Sequence, residues 1–306
     1  MSAAPPAFLP LTGLYEPSAI QQLPDGRFLV VEDEKSHPLS LVTLGADGSV
    51  HSTALAPGFW QGFSAFWTLD DLEGLALDQA GFVYAITSHS LDGDGDDKRA
   101  RQKLVRFRIE GDAVVKSTVV DGLKRALTDA HPVLAAAARV VDVKQDGGLN
   151  IEALEISPDQ QRLLIGLRSP LQAGHALIAS VENLRAVFEA AEAPRIAPRL
   201  HALDLGGQGL RGMAWVPALA GYLLIAGPAS GAPGPFALWF WSGQPGARAR
   251  RVTVPGLQGL GKAEGVCPAV LDGAPRIVLV SDDGHRKQRK PAHFLLLDPA
   301  QLQIAP

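Results

Sequence analysis

Glu73-Gly-Leu-Ala-Leu77, running shortly afterwards into Ala85-Ile-Thr-Ser-His89, decides the fold, because this pair of segments returns along the chain. Outward from it stand Glu16-Pro-Ser-Ala-Ile20 with Val30-Val-Glu-Asp33, Glu152-Ala-Leu-Glu-Ile156 with Ile165-Gly-Leu-Arg-Ser169, and Glu264-Gly-Val-Cys267 with Leu279-Val-Ser-Asp-Asp283. A fifth copy, Arg211-Gly-Met-Ala-Trp215 with Ile225-Ala-Gly-Pro228, carries arginine where the others carry glutamate. Repetition at this spacing marks a chain built of like supersecondary units.

Each unit reads as strand, turn, strand, loop, strand, turn, strand. In the first, Ser18-Ala-Ile-Gln-Gln-Leu23 passes through the turn Pro24-Asp-Gly26 into Arg27-Phe-Leu-Val-Val31, then Leu39–Leu44 and Val50–Leu55 supply two more strands. Third strands of later units read as Lys103–Ile109, Ala176–Ser180, Ala237–Trp241 and His293–Leu297. Four-stranded antiparallel units at this period are blades, so the fold is all-β, a β-propeller forming a single domain over residues 1–306. Five marked repeats predict five blades, with six left open, and Phe8-Leu-Pro-Leu11 is placed to close the ring beside the last blade. Between Glu73 and Glu152, Leu123–Ala138 has helical composition and reads as an insertion or a degenerate blade. Val181–Glu192 reads as a second short helix, and both are expected outside the sheets or on the rim.

The bulk properties narrow the functional classes. A chain with 46% hydrophobic and 20% charged residues has the composition of a soluble protein with a large core. No stretch reaches the roughly 18 apolar residues of a membrane span. The start, Met1-Ser-Ala-Ala-Pro-Pro-Ala-Phe8, lacks the basic flank and apolar run of a secretory signal, so the expected location is the cytoplasm. A net charge of -4 argues against a nucleic-acid partner and leaves small molecules. Cys267 is the only cysteine, which excludes an internal disulfide or a thiolate metal cluster.

First strands of blades line a propeller's axis, so Glu16, Glu73, Glu152, Glu264 and Arg211 are expected to converge. Carboxylates crowded in a poorly solvated channel take up protons or bind a cation. Oxygen donors favour a divalent ion, calcium or magnesium first and manganese next; the alternative is that the glutamates only tie neighbouring blades together. Asp71 and Asn150 share the strand face of the glutamates that follow them. Second strands end at the same mouth, bringing Glu32, Asp33, Ser88, His89, Arg168, Ser169, Asp282 and Asp283 there. Among these His89 suits proton transfer, and Arg168 and Arg211 suit an anionic substrate or serve as counter-ions. The basic runs Lys98–Lys103 and His285–Lys290 flank the same face. Asp92–Asp97 imitates the opening of an EF-hand loop, but Asp97 and Lys103 stand where that loop needs glycine and glutamate.

Asp71-Leu-Glu-Gly-Leu-Ala76, Thr87-Ser-His-Ser90, Asn150-Ile-Glu-Ala-Leu154, Leu164–Leu171, Leu210-Arg-Gly-Met-Ala214 and Ser281-Asp-Asp-Gly284 together resemble the bacterial family called domain of unknown function 3616, over almost the whole chain. The Asp-Leu-Glu-Gly-Leu-Ala element is also similar to the family termed esterase-like activity of phytase. Axial glutamates are similar to those of gluconolactonase-type propellers, where a channel-bound divalent cation serves lactone hydrolysis. These resemblances imply a metal-dependent hydrolase of a small, anionic ester, phosphoester or lactone. The competing expectation is a propeller without catalysis that binds a small ligand or protein partner on the same face.

Overall fold

A computed structural model describes residues 5–33, 38–57 and 64–306. Five antiparallel sheets are arranged around one axis. Each sheet's innermost strand packs against the innermost strands of its two neighbours, and the fifth returns to the first, so the ring is closed. This is a five-bladed β-propeller.

Blade one comprises Pro17–Gln22, Phe28–Glu32, Leu39–Leu44 and Val50–Ala54 from the axis outward, and blade two Leu72–Leu77, Val83–Thr87, Leu104–Glu110 and Ala113–Val120. Blade three holds Asn150–Ile156, Leu163–Ser169, Ala176–Val181 and His201–Leu203. Blade four runs Gly209–Val216, Gly221–Gly227, Ala237–Trp241 and Arg250–Thr253, and gains an extra outer strand, Gln303–Ile304, from the end of the chain. Blade five has three consecutive strands, Ala263–Leu271, Ala274–Ser281 and Ala292–Leu297, and takes its fourth from Leu9–Leu11, where Leu9 pairs with Phe294. The closure expected of Phe8–Leu11 is therefore made by Leu9–Leu11. The C-terminal strand had no counterpart in the sequence reading, because two residues carry no periodicity.

Apolar residues sort into five wedges, one for each contact between adjacent blades. The first and second strands of a blade are covered on both faces, which is why Asn150–Ile156 and Gly221–Gly227 are buried throughout. Polar staples reinforce the wedges. Glu155 Oε2 accepts the amide of Trp215 at 2.7 Å between blades three and four, and Gln22 Oε1 accepts that of Val270 at 2.8 Å between blades one and five.

The long insertion is helical, with Leu123–Ala130, Pro132–Ala137 and Val143–Asp146, and contains no sixth blade. Its Leu123, Leu127 and Leu134 join the wedge between blades two and three. The second predicted helix is shorter than its pattern, Leu184–Glu189, because Val181 is taken by the third strand of blade three.

Every inner strand carries a bulge at the same level. Pairing with the second strand skips Ser18, Glu73, Glu152, Arg211 and Glu264 in blades one to five. A bulged residue leaves the ladder and is re-aimed, here toward the axis. The residue after it is always small: Ala19, Gly74, Ala153, Gly212 or Gly265. Neighbouring backbones explain this. A Cβ on Gly212 would stand 2.1 Å from the Glu264 carbonyl oxygen, and one on Gly265 would stand 3.0 Å from Ala19 Cα. The Glu-Gly signature is thus a re-aimed acid followed by a close strand crossing.

Candidate functional site

The bulges build an acidic cup at one end of the axis. Two residues below them, Ile20, Leu75, Leu154, Met213 and Val266 close the channel with buried apolar side chains, leaving a gap of about 10 Å³ among them. Above lies an open cavity of about 700 Å³. Nine carboxylate side chains line it against four cationic ones, so the cup is strongly negative when ionised.

On one side the negative charge is compensated by protein. Arg211 Nε lies 2.9 Å from Glu152 Oε2, its Nη1 donates to Glu152 Oε1 at 3.2 Å, and its Nη2 pairs with Glu264. Glu152 also accepts from Arg168 Nη1 at 3.1 Å and from Asn150 Nδ2 at 2.8 Å. Arg168 completes its contacts with the carbonyls of Pro228 and Ser230 at 3.2 and 3.0 Å. Burial opposes the charge on Arg211, yet Glu152 and Glu264 outweigh it and hold the guanidinium more firmly protonated than usual. Both arginines therefore act as counter-ions, and every guanidinium nitrogen already meets a protein group.

The opposite side is different. Glu73, on the inner strand of blade two, has no hydrogen-bond or ion-pair partner among the described residues. Its carboxyl is held well above the usual range, first by desolvation and then by the charges of Glu152, Asp71, Glu264 and Asp33. Glu264 is pushed up to about 7 mainly by burial, against the pull of Arg211. Burial and the neighbouring Glu16 raise Asp282 to about 6, against the pull of Lys262. Asp33 is also raised, by desolvation in the crowded mouth and by Asp71, although its own side chain stays exposed. Asp71 is paired with Arg101 and adopts a left-handed backbone at φ 65°.

The family model described as "Protein of unknown function (DUF3616)" matches residues 110–298. The chain belongs to this DUF3616 family. No curated protein matches its sequence. Solved structures similar to it include an oxidoreductase named as a glucose dehydrogenase from Thermus thermophilus, at 16% identity over 95% of this chain and 100% of that one with a TM-score of 0.49. A PQQ-bound aldose sugar dehydrogenase from Streptomyces coelicolor is 15% identical over 99% of this chain and 100% of that one, TM-score 0.44. A gluconolactonase from Xanthomonas campestris is 11% identical over 97% and 96% of the two chains, TM-score 0.43. None of these shares enough with the DUF3616 chain to speak for its chemistry.

The sequence-predicted residues of this DUF3616 protein fall into three groups. Glu73, Glu152, Glu264, Arg168 and Arg211 meet in the cup, joined by Asp33, Asp71, Asn150 and Asp282. Glu16 also lines it, but not in the register expected: Ser18 holds the bulge of blade one, and Glu16 stands two residues earlier, level with Asp71 and Asn150. Alignment on the small residue after the bulge, Ala19 against Gly74, carries the signal that places Ser18.

His89 is the clearest departure. It does not line the cavity; it is wholly buried, with Nδ1 2.8 Å from the Thr87 carbonyl oxygen. Burial pushes its imidazole down to about 4, with Lys124 adding to the effect, so it is neutral at physiological pH. The backbone turns left-handed at His89, φ 56°, which sends the side chain away from the axis. Ser88, Ser169, Glu32 and Asp283 are likewise absent from the lining. Glu32 accepts the Tyr15 amide at 2.8 Å, and Asp283 meets His293 Nδ1 at 2.8 Å.

The basic runs stay largely exposed and supply only a few local contacts. Arg101 pairs with Asp71, Lys98 with Asp92, and Lys290 caps the Asp283 carbonyl at 2.7 Å. Asp92 accepts the amides of Asp94 and Asp96 at 3.0 and 2.8 Å, so the acidic run is a self-capped turn that walls the cup. Sequence reasoning missed the wall contributed by Asp142 and Lys144 of the helical insertion. Among the described residues, no group of three or more His, Cys, Asp or Glu side chains is already gathered around a metal-sized point.

Proposed function

We propose that the protein is a hydrolase of a small ester or lactone, working in the acidic cup with a divalent cation, calcium or magnesium before manganese. The observation that carries this reading is Glu73: a deeply placed carboxyl, without a partner among the described residues, whose own proton affinity is raised by burial and by the acids it faces. An unpaired acid in such surroundings is relieved by a proton or by a cation. Glu73, Glu16 and Asp71 supply hard oxygen donors of the kind such ions prefer. Glu152 and Glu264, assigned to the metal by sequence, are drawn toward Arg211 and would serve the cation at longer range.

The cation would polarise a carbonyl oxygen and lower the pKa of bound water. Glu264 and Asp282, raised to about 7 and about 6, can hold or release a proton near neutrality. The cup contains no thiol, and its bulk charge disfavours an anion arriving without a cation. A substrate that is neutral, or anionic and cation-paired, fits this balance better than a free phosphoester.

Calorimetric titration with calcium, magnesium and manganese, alongside assays on an aryl acetate, an aryl phosphate and a five-membered lactone, tests the reading. Stoichiometric cation binding and turnover, both lost in Glu73→Gln, are expected. A folded wild-type protein that binds no cation and turns over none of the three probes overturns it and leaves a ligand-binding propeller.

A further inference from the structure

The propeller carries a second cavity on its flank, where the three-residue outer strand of blade three, His201–Leu203, faces the third strand of blade four, Ala237–Trp241. It is about 910 Å³ and shares no residue with the axial cup. Its charge is the reverse. Arg199, Arg248, His175 and His201 edge it against a single carboxylate, Asp204, which is occupied by the Gly206 amide at 3.0 Å. Among the described residues neither Arg199 nor Arg248 has a hydrogen-bond or ion-pair partner.

The inner wall is aromatic. Trp241 is 1% exposed, stacks on Tyr222 with ring centres 5.2 Å apart, and meets the His201 ring at 5.0 Å. Trp239 stands beside it with the Arg251 guanidinium 5.3 Å from its ring centre. Both indole N–H groups are buried without an acceptor among the described residues.

The geometry points to a second binding site here, for a small anion that carries a flat ring. The acidic group meets Arg199 and Arg248, whose planar forks suit carboxylate and phosphate alike. The ring lies along the indole and imidazole wall. The site does not depend on the chemistry of the cup, so either reading can fail without the other.

Ligand-observed NMR and tryptophan fluorescence with adenosine 5′-monophosphate, 2-naphthoate, adenosine and inorganic phosphate test the assignment. At least one ringed anion should bind with Kd below about 1 mM, and binding by only one of the two tells phosphate from carboxylate. Adenosine and inorganic phosphate should bind about tenfold more weakly or worse, and the double variant R199A/R248A should lose about tenfold in affinity for the ringed anion. Because both arginines are exposed, the variant should melt like wild type, and E73Q should bind the probe normally. No binding of either ringed anion at millimolar concentration overturns the proposal. So does inorganic phosphate binding as tightly as they do, or unchanged affinity in R199A/R248A.

Discussion

The axial cup and the flank cavity both contain arginines, but the two sets are used in opposite ways. In the cup Arg211 is buried between two carboxylates and Arg168 is half-buried against Glu152. On the flank Arg199 and Arg248 stand exposed, without a partner among the described residues, beside aromatic rings. The difference teaches that position in a repeat assigns a charge its task. A residue at an axial bulge is forced into the company of its symmetry mates and becomes structural counter-charge. A residue on an outer edge meets no mates and stays available.

The sharpest way to break this contrast is R211M, which leaves Glu152 and Glu264 facing each other without their shared cation. Removing one member of a buried ionic set costs roughly 3–5 kcal/mol, so a large drop in the urea midpoint at pH 8 is expected. A midpoint unchanged within error would mean that Arg211 is not the charge that holds the ring.

Next in size is the pH response of the buried acids of the cup. Glu73 and Glu264 bind protons more tightly in the folded protein than a free glutamate with its pKa near 4.5, Glu264 with a pKa of about 7. The contribution of Glu264 to stability is therefore complete below about pH 4.5 and is lost as pH rises through about 7, and that of Glu73 is lost in the same direction as pH rises. E73Q keeps the shape and removes the ionisation. Relative to wild type it should gain stability as pH is raised from 5 to 8 in urea titrations, with the smallest difference at pH 5. Equal stability at pH 8 would show that Glu73 is already compensated there.

The smallest effect belongs to the flank. R199A/R248A should change stability by no more than about 0.5 kcal/mol, as exposed substitutions without partners do. A larger loss in the thermal melt would reveal packing by their side chains and erase the distinction from the cup.

How much of this was legible in the sequence depends on what was repeated. The Glu-Gly pairs at 73 and 264, with Arg211-Gly212, announced both the blade count and the axial cluster, because bulge and strand crossing each impose a residue type. Where the repeat degenerates, reading failed. Glu16 imitates the marker but is two residues out of register, since Pro17-Ser18-Ala19 offers no charge at the bulge. His89 could not be placed, because a single left-handed residue turns its side chain off the axis and nothing in the local pattern encodes that turn. The pairing of Arg101 with Asp71, and the meeting of Arg199 and Trp241 in the lining of one cavity, join segments with no common motif and become visible only when the ring is closed.

Blade five borrows its outermost strand from Leu9–Leu11, upstream of blade one, and pairs it with Ala292–Leu297, downstream of the other four blades' own consecutive strands. That strand must wait through synthesis of those four blades before its partner exists, whereas they can assemble in order as they emerge. Until then Leu9 and Leu11 and the open edge at Phe294 are unprotected, which makes the nascent propeller dependent on holding apart two sticky ends that are destined for each other.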